Sequence, residues 1–161
     1  MEHVVKVGMC DLKTAKPPQR LLTSGLGSCV GICLYDPVTK TGGMAHIMLP
    51  DSAQARGNTN PAKFADTAIP LLIEEMLALG AVKSRLVAKI AGGAQMFDFA
   101  TNSEVMRVGD RNSKAVAAKL KQEGIPILVN DTGGNFGRTI EFDTVDGKLY
   151  IRTLDKGESI R

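Results

Sequence analysis

Tryptophan is absent from this sequence, and all aromatic residues together make up 4% of it. With 43% of residues hydrophobic, a packed interior is within reach, but it must be built from aliphatic side chains. Histidine is nearly as scarce, occurring only as His3 and His46. The cysteines are Cys10, Cys29 and Cys33, with no CxxC spacing and no histidine pair to complete a zinc site. No metal and no cofactor is therefore expected. An odd number of cysteines at these spacings does not make a disulfide framework either. Free thiols point to a reducing compartment, so the expected location is the cytoplasm.

Charge and hydropathy remove further classes. The net charge is +3 and the pI about 8.8, without a run of Lys or Arg and without a basic stripe interleaved with aromatics. Nucleic acid is not an expected partner. The longest strongly apolar stretch, Ala68 to Ala81, contains Pro70 and two glutamates, so insertion into a membrane is not expected. The opening MEHVVKVGMCDLK lacks the apolar segment of a secretory leader. No P-loop is present. Gly25-Leu26-Gly27 lacks the third glycine of a dinucleotide-binding turn and leads into a strand rather than a helix.

What the sequence does have is glycine, 17 in all, bunched at 25–31, 42–43, 92–93 and 133–137. The bunching predicts several tight turns meeting close to one place. The length predicts one domain over residues 1–161, with a polar tail that frays from about 156. Val4–Cys10 reads as a first strand and Lys13–Arg20, with Pro17-Pro18, as a loop. Gly31–Tyr35 and Met44–Leu49 read as a hairpin around Asp36-Pro37, which carries Cys29 towards residues 46–50. Asn60-Pro61 starts a helix expected to run to Leu79, with a kink or early break at Pro70. Leu86–Ala91 and Ile125–Asn130 read as strands and Asp110–Glu123 as a second helix. Arg138–Thr144 and Lys148–Thr153 form a hairpin around Asp146-Gly147. The fold class is α/β: an α/β sandwich with a mostly antiparallel mixed sheet and two main helices.

The most informative stretch is Thr23-Ser-Gly-Leu-Gly-Ser-Cys29-Val, followed by Gly42-Gly-Met-Ala-His46-Ile-Met-Leu. A thiol in a glycine-bracketed turn needs a base nearby, because the thiolate is the attacking form. His3 lies in the terminus, so a Cys-His pair here means Cys29 with His46. Backbone amides of the Gly27-Ser28-Cys29 turn are candidate oxyanion donors, since glycine lets the main chain approach a substrate closely.

These residues resemble the CheD family of chemoreceptor glutamine deamidases. The resemblance covers nearly the whole chain. It rests on Thr23-Ser-Gly-Leu-Gly-Ser-Cys29-Val-Gly, Ala45-His46-Ile-Met-Leu-Pro50-Asp51-Ser52, Ala91-Gly-Gly-Ala-Gln-Met-Phe97, Arg107–Asn112, and Gly133-Gly134-Asn-Phe-Gly137-Arg138. It implies a sandwich related to toxin deamidases and a catalytic set of Cys29, His46 and Thr23. It implies hydrolysis of glutamine side chains of methyl-accepting chemoreceptors to glutamate and ammonia, with receptor methylesterase activity also attributed to the family. A CheC-type phosphatase is the second implied partner, and the chain itself would be a monomer that pairs with it. Thr23 would orient His46 through its hydroxyl or its backbone carbonyl. The sequence departs from the family pattern at Pro70.

Each feature also has a plain reading. Cys29 would be a small buried hydrophobe, His46 a hydrogen-bonded core residue and Thr23 an ordinary strand or turn residue. Gly92, Gly93 and Gly133–Gly137 are either turns or walls of the site. Arg138 either guides an acidic receptor surface or is paired within the fold. Met96 and Phe97 either pack in the core or form an exposed contact. Cys10 and Cys33 read as structural. The rivals to a deamidase are a binding module that controls the phosphatase or receptor, and a thiol redox or metal protein using Cys29 and Cys33. A catalytic Cys29 should alkylate faster in the folded protein than Cys10 or Cys33, measured by peptide mapping after brief iodoacetamide treatment. Equal rates at all three would count against it.

Overall fold

The computed structural model describes residues 3–54, 57, 60–95 and 107–161. The strands are β1 (Val4–Lys6), β2 (Asp11–Ala15), β3 (Arg20–Leu26), β4 (Val30–Asp36), β5 (Thr41–Ile47), β6 (Val87–Gly92), β7 (Ile127–Thr132), β8 (Arg138–Asp143), β9 (Leu149–Thr153) and β10 (Gly157–Ile160). The helices are α1 (Ala65–Ala78) and α2 (Val108–Gln122). Two five-stranded sheets form, in the orders β1-β3-β8-β9-β10 and β2-β5-β4-β6-β7. Both are mainly antiparallel, with parallel pairs at β1–β3 and β6–β7.

The central strands of the second sheet are buried on both faces, and their alternation sorts the core. On β4, Val30, Ile32 and Leu34 pack with Ala45 and Ile47 of β5 under Ala68, Ile69, Leu72 and Met76 of α1 and Val116 and Leu120 of α2. The intervening Cys33 and Tyr35, with Met44 of β5 and Cys29 just before β4, pack against Leu21, Leu26, Ile140 and Phe142 of the first sheet. Period-2 alternation thus builds three layers, sheet on sheet on helices, and a strand buried on both faces reads as a continuous apolar run. The sheets approach closely at Gly31, where an added Cβ would stand 2.6 Å from Cδ1 of Ile140. Gly31 is paired with His46 in register, so this close approach lies directly beside the histidine.

The α/β sandwich with two main helices is present, with its strands divided between two sheets rather than gathered in one. The β4–β5 and β8–β9 hairpins occur as expected, the second turning at Gly147, whose φ is +76°. Four expectations need correction. Lys13–Arg20 is not all loop, because Lys13–Ala15 belongs to β2 and Arg20 opens β3. Asn60 does not begin the long helix. Its side chain accepts from the Ala62 amide at 3.0 Å and caps a short turn at Pro61–Lys63, and extended Phe64 then separates that turn from α1. Pro70 does not break α1: it lies inside the helix, which continues to Ala78. The tail from about 156 does not fray: β10 pairs antiparallel with β9, and the Arg161 amide donates to the Leu149 carbonyl at 2.8 Å. The signal for β10 is tertiary, because Gly157–Ile160 is polar and gains its order from the neighbouring edge. Among the described residues, no helix is long and apolar enough to cross a membrane.

Ile140 is fully buried between the sheets beneath Gly31. Ile140→Ala should destabilise the fold by about 3 kcal/mol in urea unfolding, through lost burial and the cavity left behind. A loss below about 1 kcal/mol would contradict this account of sheet-on-sheet packing.

Candidate active site

Thr23 and His46 meet between the two sheets, and Cys29 lies on the loop that leads into β4. Thr23 is on β3, aligned with Ile140 across the β3–β8 pair, and is 2% exposed. His46 is on β5 of the other sheet and is 1% exposed. The Thr23 hydroxyl lies 2.7 Å from His46 Nδ1 and also 2.7 Å from the carbonyl oxygen of Val7.

Those two distances fix a proton. A carbonyl only accepts, so the single hydroxyl proton of Thr23 is committed to Val7. The hydroxyl oxygen must then accept from His46, which places the ring proton on Nδ1. Nε2 is left as a bare lone pair. It is buried and has no hydrogen-bond partner among the described residues. Burial also lowers the His46 pKa, because the charged ring is desolvated. The resting imidazole is therefore neutral and carries its lone pair on the nitrogen turned away from Thr23. Of the two groups the sequence left open, it is the Thr23 hydroxyl, not its backbone carbonyl, that contacts His46.

Cys29 is 6% exposed and sits one residue before β4. The ladder ends at Val30–Ile47, which brings Cys29 alongside the segment that follows His46. Burial pushes the Cys29 thiol above its ordinary pKa, with a smaller push from Cys10. Burial thus favours the neutral thiol of Cys29 and the neutral imidazole of His46.

The loop carrying Cys29 is held by its carbonyls. Gly27 oxygen accepts from the Ala94 amide at 2.8 Å and Cys29 oxygen from the Gly93 amide at 2.8 Å. Between them, Ser28 oxygen accepts from the Asn112 side chain at 2.9 Å. With these carbonyls held, the Ser28 and Cys29 amides of the same peptide planes point the opposite way. Gly92, with φ at +113°, lies so close that a Cβ there would run into the Cys29 carbonyl. Gly92 and Gly93 therefore form the floor that ties the loop down.

Arg138 is placed differently from a surface guide. It is 4% exposed, donates to the Gly92 carbonyl at 3.3 Å and to Asp131 Oδ1 at 3.2 Å, and stacks 4.3 Å over the Phe136 ring. It braces the end of β6 behind the cysteine loop. It also lines a groove of about 510 Å³ with Gly25, Phe136 and Arg152. Met96 and Phe97 lie outside the described residues. The Cys10 amide donates to the His46 carbonyl at 2.9 Å, while its thiol stands 3.9 Å from Met48 Sδ. Cys33 is in the core between the sheets, where burial raises its pKa far above the ordinary value.

Two contributors escaped the sequence reading. One is the Val7 carbonyl, which no sequence signal marks. The other is Asn112, whose signal was present: it shares the buried stripe of α2 with Gly109, Val116 and Leu120, a polar residue on the apolar face.

The family described as CheD chemotactic sensory transduction matches residues 48–153. A protein of Desulfitobacterium hafniense named "Probable chemoreceptor glutamine deamidase CheD" is 58% identical over 99% of both chains. Proteins of the same name from Syntrophomonas wolfei and Clostridium novyi are 54% and 56% identical, over 99% of both chains and over 95% of this chain and 94% of the other. Among solved structures, a Bacillus licheniformis hypothetical protein, YfiH, aligns with a TM-score of 0.42 at 17% identity, covering 76% of this chain and 51% of that one. That structural likeness is too slight to bear on function. The sequence identities, sustained end to end, place this chain in the CheD family.

Proposed function

We propose that this protein is a protein-glutamine deamidase that converts glutamine side chains of chemoreceptors to glutamate, with Cys29 as nucleophile. The observation that carries the reading is the bare, buried Nε2 of His46, held in that state by the Thr23 hydroxyl, on a strand whose pairing with β4 ends one residue from Cys29. The names of the similar CheD proteins supply the substrate class. Sγ of Cys29 attacks the glutamine carbonyl carbon while Nε2 takes the thiol proton. The oxyanion that forms is received by the amides of Ser28 and Cys29, a contribution worth about 3 kcal/mol per donor. Nε2 returns its proton to the departing amine, and ammonia leaves with the C–N bond broken. Water then gives a proton to Nε2 and attacks the thioester, releasing glutamate and the Cys29 thiol. No cofactor enters these steps. Gly27, Gly92 and Gly93 set the backbone of this loop, and Arg138 braces it from behind.

The imidazolium formed in each half-reaction is neighboured by a neutral hydroxyl rather than a carboxylate. It is therefore a short-lived species that readily gives its proton up again. A binding role towards a CheC-type phosphatase is the alternative output. An intact Thr23–His46 pair favours catalysis, because a purely binding surface has no need of a buried lone pair.

The direct test is intact mass spectrometry of a receptor cytoplasmic fragment, expected to gain about 1 Da per modified glutamine with the wild type and nothing with Cys29→Ala or His46→Ala. Ammonia release by either variant would overturn the assignment. Thr23→Val should lower kcat about 100-fold, and Thr23→Ser should recover most of it. An equal loss in both would make the threonine merely a packing residue. For pH, protonation of Nε2 removes the base, and burial makes that protonation harder than in free imidazole. The acid limb of kcat/KM should therefore fall below the ordinary histidine value of about 6.5. A limb at or above that value would contradict the desolvated, neutral His46.

A further inference from the structure

Asn112 is fully buried, yet its side chain serves neither α2 nor the core around it. Nδ2 donates at 2.9 Å to the Ser28 carbonyl and at 2.9 Å to the Met48 carbonyl. Two carbonyl neighbours identify the atom facing them as the amide nitrogen. Ser28 immediately precedes the nucleophile, and Met48 follows His46 by two residues. The β4–β5 ladder ends at Val30–Ile47, so beyond it no backbone rung joins these two segments. The carboxamide supplies that rung from a third element.

Peptide geometry turns this tie into an aim. The Ser28 carbonyl and the Cys29 amide belong to one planar trans unit, so fixing the oxygen towards Asn112 points the N–H the opposite way. The Gly27 carbonyl is likewise fixed by Ala94, which orients the Ser28 amide. The first turn of α2 is seated firmly enough to hold such a direction. A Cβ at Gly109 would run into the Ala94 carbonyl and a Cβ at Gly93 into Ser113 Oγ, so helix and strand end are in direct backbone contact. The Oδ1 of Asn112 is buried and accepts from none of the described residues. Stability alone disfavours such an arrangement, and a buried polar group left half-satisfied calls for a functional account.

We infer that Asn112 is a positioning residue of the reaction: it aims the Cys29 amide at the developing oxyanion and holds the nucleophile loop beside the segment that carries His46. The inference rests on the oxyanion role proposed above for the Ser28 and Cys29 amides. It adds a residue on α2 to a site otherwise drawn from the two sheets.

Two reactions at the same sulfur separate aiming from mere packing. Acylation of Cys29 by p-nitrophenyl acetate passes through a tetrahedral oxyanion, whereas alkylation by iodoacetamide displaces iodide and forms none. Both rates are read at Cys29 by peptide mapping, without any receptor. Asn112→Asp keeps the shape and removes both donors, while Asn112→Ser clears the space, and thermal melting reports whether each variant is folded. In both variants, acylation should fall about 100-fold relative to alkylation, the loss expected when one oxyanion donor is misdirected. Asn112→Gln, which retains the carboxamide, should recover part of the ratio. A ratio unchanged in folded Asp and Ser variants, or two rates falling in step, would overturn the role of Asn112 alone. Wild-type Cys29 acylating no faster than Cys10 would instead overturn the oxyanion reading itself, and the inference with it.

Discussion

One hydroxyl proton organises this site. Thr23 has a single proton to give, and the Val7 carbonyl at 2.7 Å takes it. The same oxygen is therefore an acceptor towards His46 Nδ1 at 2.7 Å, and the ring is locked in one tautomer. Everything chemical in the proposed reaction depends on that lock, because it leaves the other nitrogen bare. A carboxylate in the place of Thr23 would also orient the ring, but it would stabilise the imidazolium and raise its pKa. A hydroxyl orients without charging, and burial then keeps the ring neutral. In the proposed reaction such a ring is a base that accepts a proton only while the thiol is attacking.

The fold exists to bring that hydroxyl and that ring together from different sheets. Thr23 lies on β3 and His46 on β5, and they meet because the two sheets pack face to face. Gly31, beside His46 in register, lets Ile140 enter where a side chain would have held the sheets apart. The cysteine loop then runs into β4 with its carbonyls held by Ala94, Asn112 and Gly93. Tying down oxygens is an economical way to present amides, since each peptide plane carries both groups in opposite directions. Three elements share this work: the end of β6 through Gly93 and Ala94, β8 through Arg138 on Gly92, and α2 through Asn112.

Much of this was legible in the sequence, for local reasons. The β4–β5 hairpin, the two helices and the β8–β9 turn at Gly147 follow from periodicity and turn chemistry within a few residues. Counting outward from one hairpin turn carried Cys29 towards residues 46–50, and the register that ends at Val30–Ile47 agrees. Thr23 came only with the family resemblance, because nothing local marks a strand threonine as the partner of a histidine on another sheet. The division into two sheets was not legible, since β1 and β2 are short and each pairs with a strand other than its neighbour in sequence. β10 was missed because its order comes from an edge and not from its own polar sequence. Arg138 was visible as a charge but not as a buried brace, since burial depends on Gly92 and Asp131 arriving from β6 and β7. Asn112 was the one overlooked residue with a local signal, a polar side chain on an apolar helical stripe.

The central claim is the protonation state of one ring, and it is open to direct observation. Nitrogen-15 NMR of histidine-labelled protein at neutral pH distinguishes a protonated from a bare ring nitrogen for each tautomer. The account predicts a neutral His46 with the proton on Nδ1 and a bare Nε2, and a shift of that signature when Thr23 is replaced by Val. A proton on Nε2, or a doubly protonated ring at neutral pH, would contradict it and would leave the Cys29 thiol without the base assigned here.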